Sequence, residues 1–164
     1  MPLTGLLLAL AAPSSAAWML SADGLGPFRI GMTEPAVARM IKGHIEDDRE
    51  STANYRACHD SLPQRLPYVS FLFEKGRLSR ITIAKRRDIR TSDGVGVGSS
   101  ERRLRQIYKG RLTIRPADYG GPGHSILVWE RPGKRGVRYL TDAKGQVRLI
   151  YAGASSIQYI EGCL

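Results

Sequence analysis

The alternation of apolar and polar positions is repeated in two stretches of the chain, 28–43 and 95–110. Each stretch opens with apolar residues at every second position, as in a half-buried strand. Each then continues with apolar residues three and four positions apart, as in an amphipathic helix. A shared glycine, Gly31 or Gly98, separates the two periods and permits a tight turn between them. The stretches align without a gap at an offset of 67 residues, so the sequence predicts an internal repeat.

The two predicted helices begin in the same way. Thr33 and Ser100 stand at N-cap positions, and a glutamate follows each, where a negative charge meets the positive end of the helix dipole. The apolar stripe of the helices consists of Val37, Met40 and Ile41 in the first copy and Leu104, Ile107 and Tyr108 in the second. Because Tyr108 is in register with Ile41, a core position is favoured over a role in stacking on a ligand.

Each helix is followed by a predicted β-hairpin. The paired strands are 68–73 with 77–83 and 137–141 with 146–151, and further strands are predicted at 54–59, 125–130 and 156–163. The order of elements predicts an α+β fold of two tandem units, each a helix packed on an antiparallel sheet. The first unit is assigned to residues 18–90 and the second, with a C-terminal strand, to residues 91–164.

The first 17 residues have the pattern of a secretion signal. Gly5–Ala12 is a short apolar core, too short to span a bilayer, and the small residues Ser15–Ala17 resemble a cleavage site. The alternative is a buried N-terminal strand. A signal peptide predicts an exported protein, either periplasmic or secreted.

The two cysteines, Cys58 and Cys163, agree with export. A pair of cysteines in an oxidising compartment favours a disulfide, which here would close a loop of about 100 residues. The alternative is two unpaired, buried small side chains. Redox catalysis is not indicated, because no two cysteines have the Cys-x-x-Cys spacing.

The net charge of +10 suggests an anionic partner. Several basic residues cluster between the units and along the second helix, and we take them as candidate anion- or partner-binding residues: Arg86, Arg87, Arg90, Arg102, Arg105 and Lys109. Arginine suits bidentate contact with phosphate or carboxylate. The alternative is a solvated basic face without a ligand.

No catalytic constellation is recognisable. The three histidines are far apart in sequence and lack metal-ligand spacing, and the glycine-rich run 94–98 lacks both the dinucleotide-binding pattern and the lysine of a phosphate loop. Ser100 precedes a helix, but no nucleophile elbow surrounds Ser99 and Ser100, and helix capping accounts for the position. The sequence therefore predicts no enzyme, no cofactor and no metal site.

The Gly-Met-Thr-x-x-x-Val pattern of residues 31–37 resembles that of the small BamE/SmpA/OmlA-like envelope proteins, in which such a turn opens a helix packed on an antiparallel sheet. The tandem arrangement resembles the architecture of β-lactamase inhibitory protein. Gly98–Ser100 departs from the pattern at the methionine, and no cysteine that could carry a lipid occurs before Cys58. The resemblance implies a protein that binds other proteins through its sheet face and loops.

We therefore expect a non-enzymatic, exported protein-binding module of the cell envelope, of the assembly or enzyme-inhibitor type. Its expected partner is another envelope or secreted protein, for which the basic charge favours an acidic surface. The alternative function is binding of an anionic lipid, glycan or other polyanion through the basic surface. We expect neither specific nucleic-acid binding nor a membrane span.

Overall fold

The computed structural model describes residues 18–42, 45–47 and 57–163, and the predicted signal peptide lies outside them. The described elements are β1 (Met19–Ser21), β2 (Gly24–Leu25), β3 (Phe28–Arg29), α1 (Glu34–Ile41), β4 (Ile45–Asp47), β5 (Cys58–Pro63), β6 (Val69–Glu74), β7 (Arg77–Ala84), β8 (Arg90–Thr91), α2 (Glu101–Ile107), β9 (Leu112–Pro116), β10 (His124–Arg131), β11 (Arg135–Thr141) and β12 (Val147–Gly153), with 3₁₀ turns at Asp118–Gly120 and Ser155–Gln158. Neither helix of this described part is long and apolar enough to cross a membrane.

Eight of the strands form one continuous sheet in the order β4-β5-β6-β7-β12-β11-β10-β9. All of its pairings are antiparallel. At its centre β7 pairs with β12, with Ile83 opposite Ile150 and Ile81 opposite Ala152. The two halves of the chain therefore share one sheet, because their inner strands are hydrogen-bonded to each other.

A smaller sheet of four strands has the order β3-β2-β1-β8. The pairing of β1 with β8 is parallel and places Leu20 opposite Thr91. Leu20 and Phe28 of this sheet are buried, and both belong to the same core as the large sheet. The small sheet therefore helps to cover the apolar face of the large one.

The core lies on one face of the eight-stranded sheet. Phe71, Ile81 and Tyr139 are fully buried there, at alternate positions of their strands. The helices add Val37 of α1 and Leu104 of α2 to the same cluster. We call the opposite face of this sheet the outer face.

The predicted fold class, an α+β fold of two tandem helix-on-sheet units, is wrong. The described part of the chain is mainly β, with two short helices and two sheets. The helices have only 8 and 7 residues, about two turns each. The strands assigned to separate units are joined through β7 and β12, so the two predicted units share the large sheet. The proposed division of the chain at residue 90 stays a prediction.

Both predicted hairpins are confirmed, as β6–β7 and β11–β12. The predicted strand at 156–163 is wrong: residues 155–158 form a 3₁₀ turn instead. Residues 95–97 are not a strand either, since only Gly96 takes part in a bridge, opposite Arg90. The predicted strand 54–59 is seen as β5, which begins at Cys58, and residues 54–56 lie outside the described part.

Candidate functional site

The internal repeat is visible in backbone hydrogen bonds at the start of each helix. Glu34 N–H donates to the carbonyl of Gly76 at 3.1 Å, and Glu101 N–H donates to the carbonyl of Gly145 at 2.8 Å. Each glycine lies in the turn of the hairpin that follows its helix. The first turn of each helix is therefore fixed against its own hairpin turn, and side chains from the two elements come together.

A glutamate–histidine pair is found at this corner in both copies. Glu34 Oε1 lies 3.2 Å from His59 Nε2, and Glu101 Oε2 lies 2.8 Å from His124 Nδ1. His59 is buried, and its ring stacks on Phe73 with ring centroids 5.4 Å apart. In the first copy this pair is part of the packing of β5 and β6 rather than an accessible acid–base pair.

The second pair is more open and is linked to a third charge. Arg105 Nε donates to Glu101 Oε1 at 2.9 Å, while the His124 side chain is 45% exposed. Burial acts to raise the pKa of Glu101, but the hydrogen bonds from Arg105 and His124 outweigh it and leave the pKa below its usual range. Glu101 is therefore held as a carboxylate by two donors.

Glu101→Gln is expected to destabilise the fold by about 1 kcal/mol at neutral pH, because it removes a charged acceptor. A carboxyl group whose pKa is lowered by folding contributes stability above its unfolded pKa and loses that contribution as the pH falls through the folded pKa. Denaturant unfolding at about pH 7 and about pH 3 should therefore show the difference from wild type shrinking in acid. Glu130→Gln, at an exposed strand position, serves as the control. A difference that stays constant with pH would contradict this assignment.

Three of the six predicted basic residues are engaged locally. Arg86 Nε donates to Asp88 at 2.8 Å, and Arg90 Nη1 donates to the carbonyl of Gly94 at 3.0 Å. Arg105 is bound to Glu101, as described above. These contacts order the linker before α2, and they reduce the charge that Arg86 offers to a partner.

The other predicted residues of α2 line an open cleft of about 570 Å³ between the helix and the β11–β12 turn, which we call the α2 cleft. It is lined by Ser100, Glu101, Arg102, Arg105, Gln106, Lys109, Lys144 and Gly145. Arg102, Arg105 and Lys109 are thus brought together as their helical spacing predicted. Lys144 was not predicted, because it lies in a hairpin turn that only the tertiary structure brings to α2.

Arg87 lies in a neighbouring cleft of about 390 Å³, which we call the linker cleft. It is lined by Lys85, Arg87, Val97, Gly98, Asp142, Gln146, Val147 and Arg148. The same β11–β12 turn borders both clefts: Lys144 lines the first, and Asp142 and Gln146 line the second. The basic linker and the basic helix are therefore separated by a single turn.

The predicted disulfide is confirmed, with Cys58 bonded to Cys163 across 105 positions and their Cα atoms 5.4 Å apart. It fixes residues 154–163, which we call the tail segment, over the outer face of the sheet. Arg80 on β7 donates to the carbonyl of Ser156 at 3.2 Å, and Arg138 on β11 donates to the carbonyl of Ile157 at 3.3 Å. Sequence patterning missed these two arginines, although both stand on strands between core residues.

Arg138 is the centre of this arrangement. Its side chain, 5% exposed, also donates to Ser125 Oγ at 2.8 Å and to the carboxylate of Asp118. The guanidinium lies 5.7 Å from the ring centroid of Tyr151. A buried cation therefore connects the sheet, the 118–120 turn and the tail segment.

Exposed apolar side chains gather where the tail segment meets that turn. Tyr119 is 77% exposed and Ile160 is 51% exposed, and the hydroxyl of Tyr119 donates to Glu161. Tyr159 is 38% exposed, and its hydroxyl donates to Glu74 at 2.7 Å. Two shallow cavities, of about 180 and 310 Å³, adjoin these residues, and Ile160 lines both. We call Tyr119, Tyr159 and Ile160 the tail patch.

Among the described residues, no three histidine, cysteine, aspartate or glutamate side chains come together as metal ligands. None of the protein-family models, curated proteins or solved structures with which the chain was compared matches it.

Proposed function

We propose that the chain is a non-enzymatic, exported protein-binding module of the cell envelope that contacts its partner through the tail patch. The observation that carries the proposal is the exposure of Tyr119 and Ile160 on two elements that are each fixed to the rest of the protein. Tyr119 lies in the 118–120 turn, which is bonded to Arg138, and Ile160 lies in the tail segment, which the disulfide fixes. Aromatic and arginine residues dominate the binding energy of protein interfaces, and charged side chains are depleted at interface centres.

The tail patch is ordered before any partner arrives. The disulfide ties the tail segment to β5, and Tyr159 is bonded to Glu74 on β6. The buried side chains of Arg80 and Arg138, on the outer face of the sheet, donate hydrogen bonds to backbone carbonyls of the tail segment. Ordering flexible side chains and loops reduces affinity, so a surface that is already fixed binds more tightly for the same contact area.

The disulfide supports the proposed location outside the cytoplasm. Such bonds form and persist in oxidising compartments, which supports a periplasmic or secreted protein. The partner is then another envelope or secreted protein, in an assembly or enzyme-inhibitor role. The resemblance of residues 31–37 to BamE/SmpA/OmlA-like proteins is compatible with this role, and membership of that family is itself a proposal.

The test combines capture and measurement. The wild-type protein is used as bait on an envelope fraction of the producing cells, and each captured protein is then purified and titrated against defined variants. Tyr119→Ala with Ile160→Ser is expected to weaken binding of the true partner by at least about 30-fold, since truncation of even one hot-spot residue costs about 2 kcal/mol.

The matched control is Tyr68→Ala with Met40→Ser. Tyr68 is 54% exposed and Met40 is 39% exposed, and Tyr68 has a left-handed backbone like Tyr119, with φ of 65° against 56°. The control is expected to bind as wild type does. If the tail-patch variant captures and binds every candidate as tightly as wild type, or if turnover is found that depends on one polar residue, the proposal fails.

A further inference from the structure

We infer that the α2 cleft and the linker cleft together form a binding surface for a linear, phosphate-bearing polyanion. This surface is separate from the tail patch and shares no residue with it. Among the described residues, four basic side chains line the α2 cleft and three line the linker cleft, against one carboxylate in each. The inference goes beyond protein binding, and its test is independent of the test of the tail patch.

Three of the four cations that line the α2 cleft have no ion-paired anion among the described residues. Within the described part of the chain, the side chains of Arg102, Lys109 and Lys144 form no hydrogen bond or ion pair. Arg105 is the exception, since it is paired with Glu101. Like charges held close together repel one another, so an anion that enters the cleft relieves this repulsion.

The two carboxylates at the clefts are engaged mainly by groups of their own elements. Glu101 already accepts hydrogen bonds from Arg105 and pairs with His124. Asp142 accepts from the backbone N–H groups of Lys144 and Gln146, at 2.8 and 2.9 Å. These backbone bonds, with a smaller contribution from the charge of Lys144, lower the pKa of Asp142. The bonds fix Asp142 within its own turn.

The internal repeat provides a comparison within the chain. At the same offset, Pro35 and Ala38 of α1 stand where Arg102 and Arg105 stand in α2. The backbone contacts between helix and hairpin turn are the same in both copies, as the bonds of Glu34 and Glu101 show. The shared corner therefore forms without arginines at these positions, although Arg105 also pairs with Glu101 in the second copy. Arg102 has no such pair among the described residues, and its presence in one copy indicates a role beyond folding.

The arrangement of the clefts favours a linear ligand. Both adjoin the β11–β12 turn, so an extended chain that leaves the α2 cleft past Lys144 meets Arg148 and Arg87 next. One small anion would engage only one group of cations. A polymer with a charge on every unit engages both, and each contact releases a counterion.

The lining residues favour phosphate over an acidic peptide. Apart from Val97 and Val147, the described lining residues are charged, polar or glycine, so this part of the chain forms no apolar anchor pocket for a peptide side chain at either cleft. Arginine forks bind phosphate oxygens in pairs, and lysine binds them as a point charge. Ser100 and Gln106 add neutral hydrogen-bonding groups at the α2 cleft.

The test measures binding of fluorescent short-chain linear polyphosphate to the full chain at several salt concentrations. If about four cations are engaged, the affinity should fall about 100-fold between about 50 and 200 mM salt. Arg102→Gln with Lys109→Gln and Lys144→Gln should weaken binding at least about tenfold at low salt and reduce the slope by about three counterions.

The control removes the same charge elsewhere: Arg65→Gln with Lys75→Gln and Lys134→Gln, at three exposed positions outside both clefts. Lys75 is the counterpart of Lys144 in the first hairpin turn, at the offset of 69 that relates the two hairpins. This control should retain wild-type affinity, and circular dichroism should show both triple variants folded.

Three results would overturn the inference. The first is equal weakening by the two triple variants, which would mean that only net charge matters. The second is binding of poly-glutamate as tightly as polyphosphate, which would point to an acidic protein. The third is inorganic phosphate displacing the polymer at equal phosphate concentration, which would exclude recognition of a linear chain. None of these outcomes bears on capture through the tail patch.

Discussion

Replacement of both Cys58 and Cys163 with serine is expected to lower the free energy of unfolding by about 4.7 kcal/mol. The bond spans 105 positions of the sequence, and a cross-link over so long a loop removes much of the conformational entropy of the unfolded chain. Loss of the disulfide should also increase the mobility of the tail segment. Its hydrogen bond from Tyr159 to Glu74 is then no longer supported by a covalent link to β5. Guanidinium unfolding of the double variant and wild type measures the change.

A reductant provides the matched control. It should bring wild type to the stability of the double-serine variant and leave that variant unchanged, with the thiol count confirmed by mass. If fully reduced wild type unfolds at the original midpoint, the disulfide does not stabilise the fold. The tail patch should also bind its partner less tightly after reduction, because its ordering then occurs during binding.

Arg138→Met is expected to cost about 3 kcal/mol, the lower end of the range for removing one member of a buried ion pair, because Arg138 is 5% exposed but Asp118 is 26% exposed. Methionine fills most of the volume but leaves Asp118 without its cation. It also leaves Ser125 Oγ and the carbonyls of Ile157 and Tyr159 without their donor. Groups that lose a buried partner bear the full cost of desolvation. Denaturant unfolding at neutral pH measures the loss.

The control is Arg131→Met. Arg131 also pairs with a carboxylate, that of Asp23, but both side chains are more than half exposed, at 58% and 53%. An exposed pair of this kind contributes less than about 1 kcal/mol. Adding Asp118→Leu to Arg138→Met should recover part of the loss, since it removes the orphaned charge. Equal losses for Arg138→Met and Arg131→Met would show that the buried cation is not a structural centre.

The local pattern of the sequence predicted the repeated corner well. Two glycines, two capping positions and the apolar stripes were enough to locate both helices, because helix capping and periodicity act over a few residues. Tyr108 is buried, as its register with Ile41 indicated. The hairpins were found for the same reason, since turn glycines at Gly76 and Gly145 separate strands of alternating pattern.

The error in fold class has a non-local cause. Whether β7 and β12 end two separate sheets or join into one depends on pairing between strands far apart in sequence. Alternation along one strand reveals which face is buried but not which strand lies beside it. The strand β9 was missed because Leu112 and Ile114 are followed by Arg115 and Pro116, which weaken an already short pattern.

The sequence predicted residues of a binding surface only where those residues lie on one secondary-structure element. Arg102, Arg105 and Lys109 share a helix, so their spacing predicted that they lie together. Lys144 and Arg148 reach the same region through the hairpin, which no local signal reveals. The tail patch was missed because residues 156–163 were assigned to a strand, and the buried Arg80 and Arg138 that hold it were not considered.

The joining of the sheet at β7 and β12 sets an order of events during folding. The hairpins β6–β7 and β11–β12 close over short turns and can form early. The pairing of β7 with β12 joins residues about 70 positions apart, and such non-local β contacts form slowly. Until they form, the inner edges of both hairpins expose unpaired backbone groups. This interval is when the chain is most exposed to aggregation during its biogenesis.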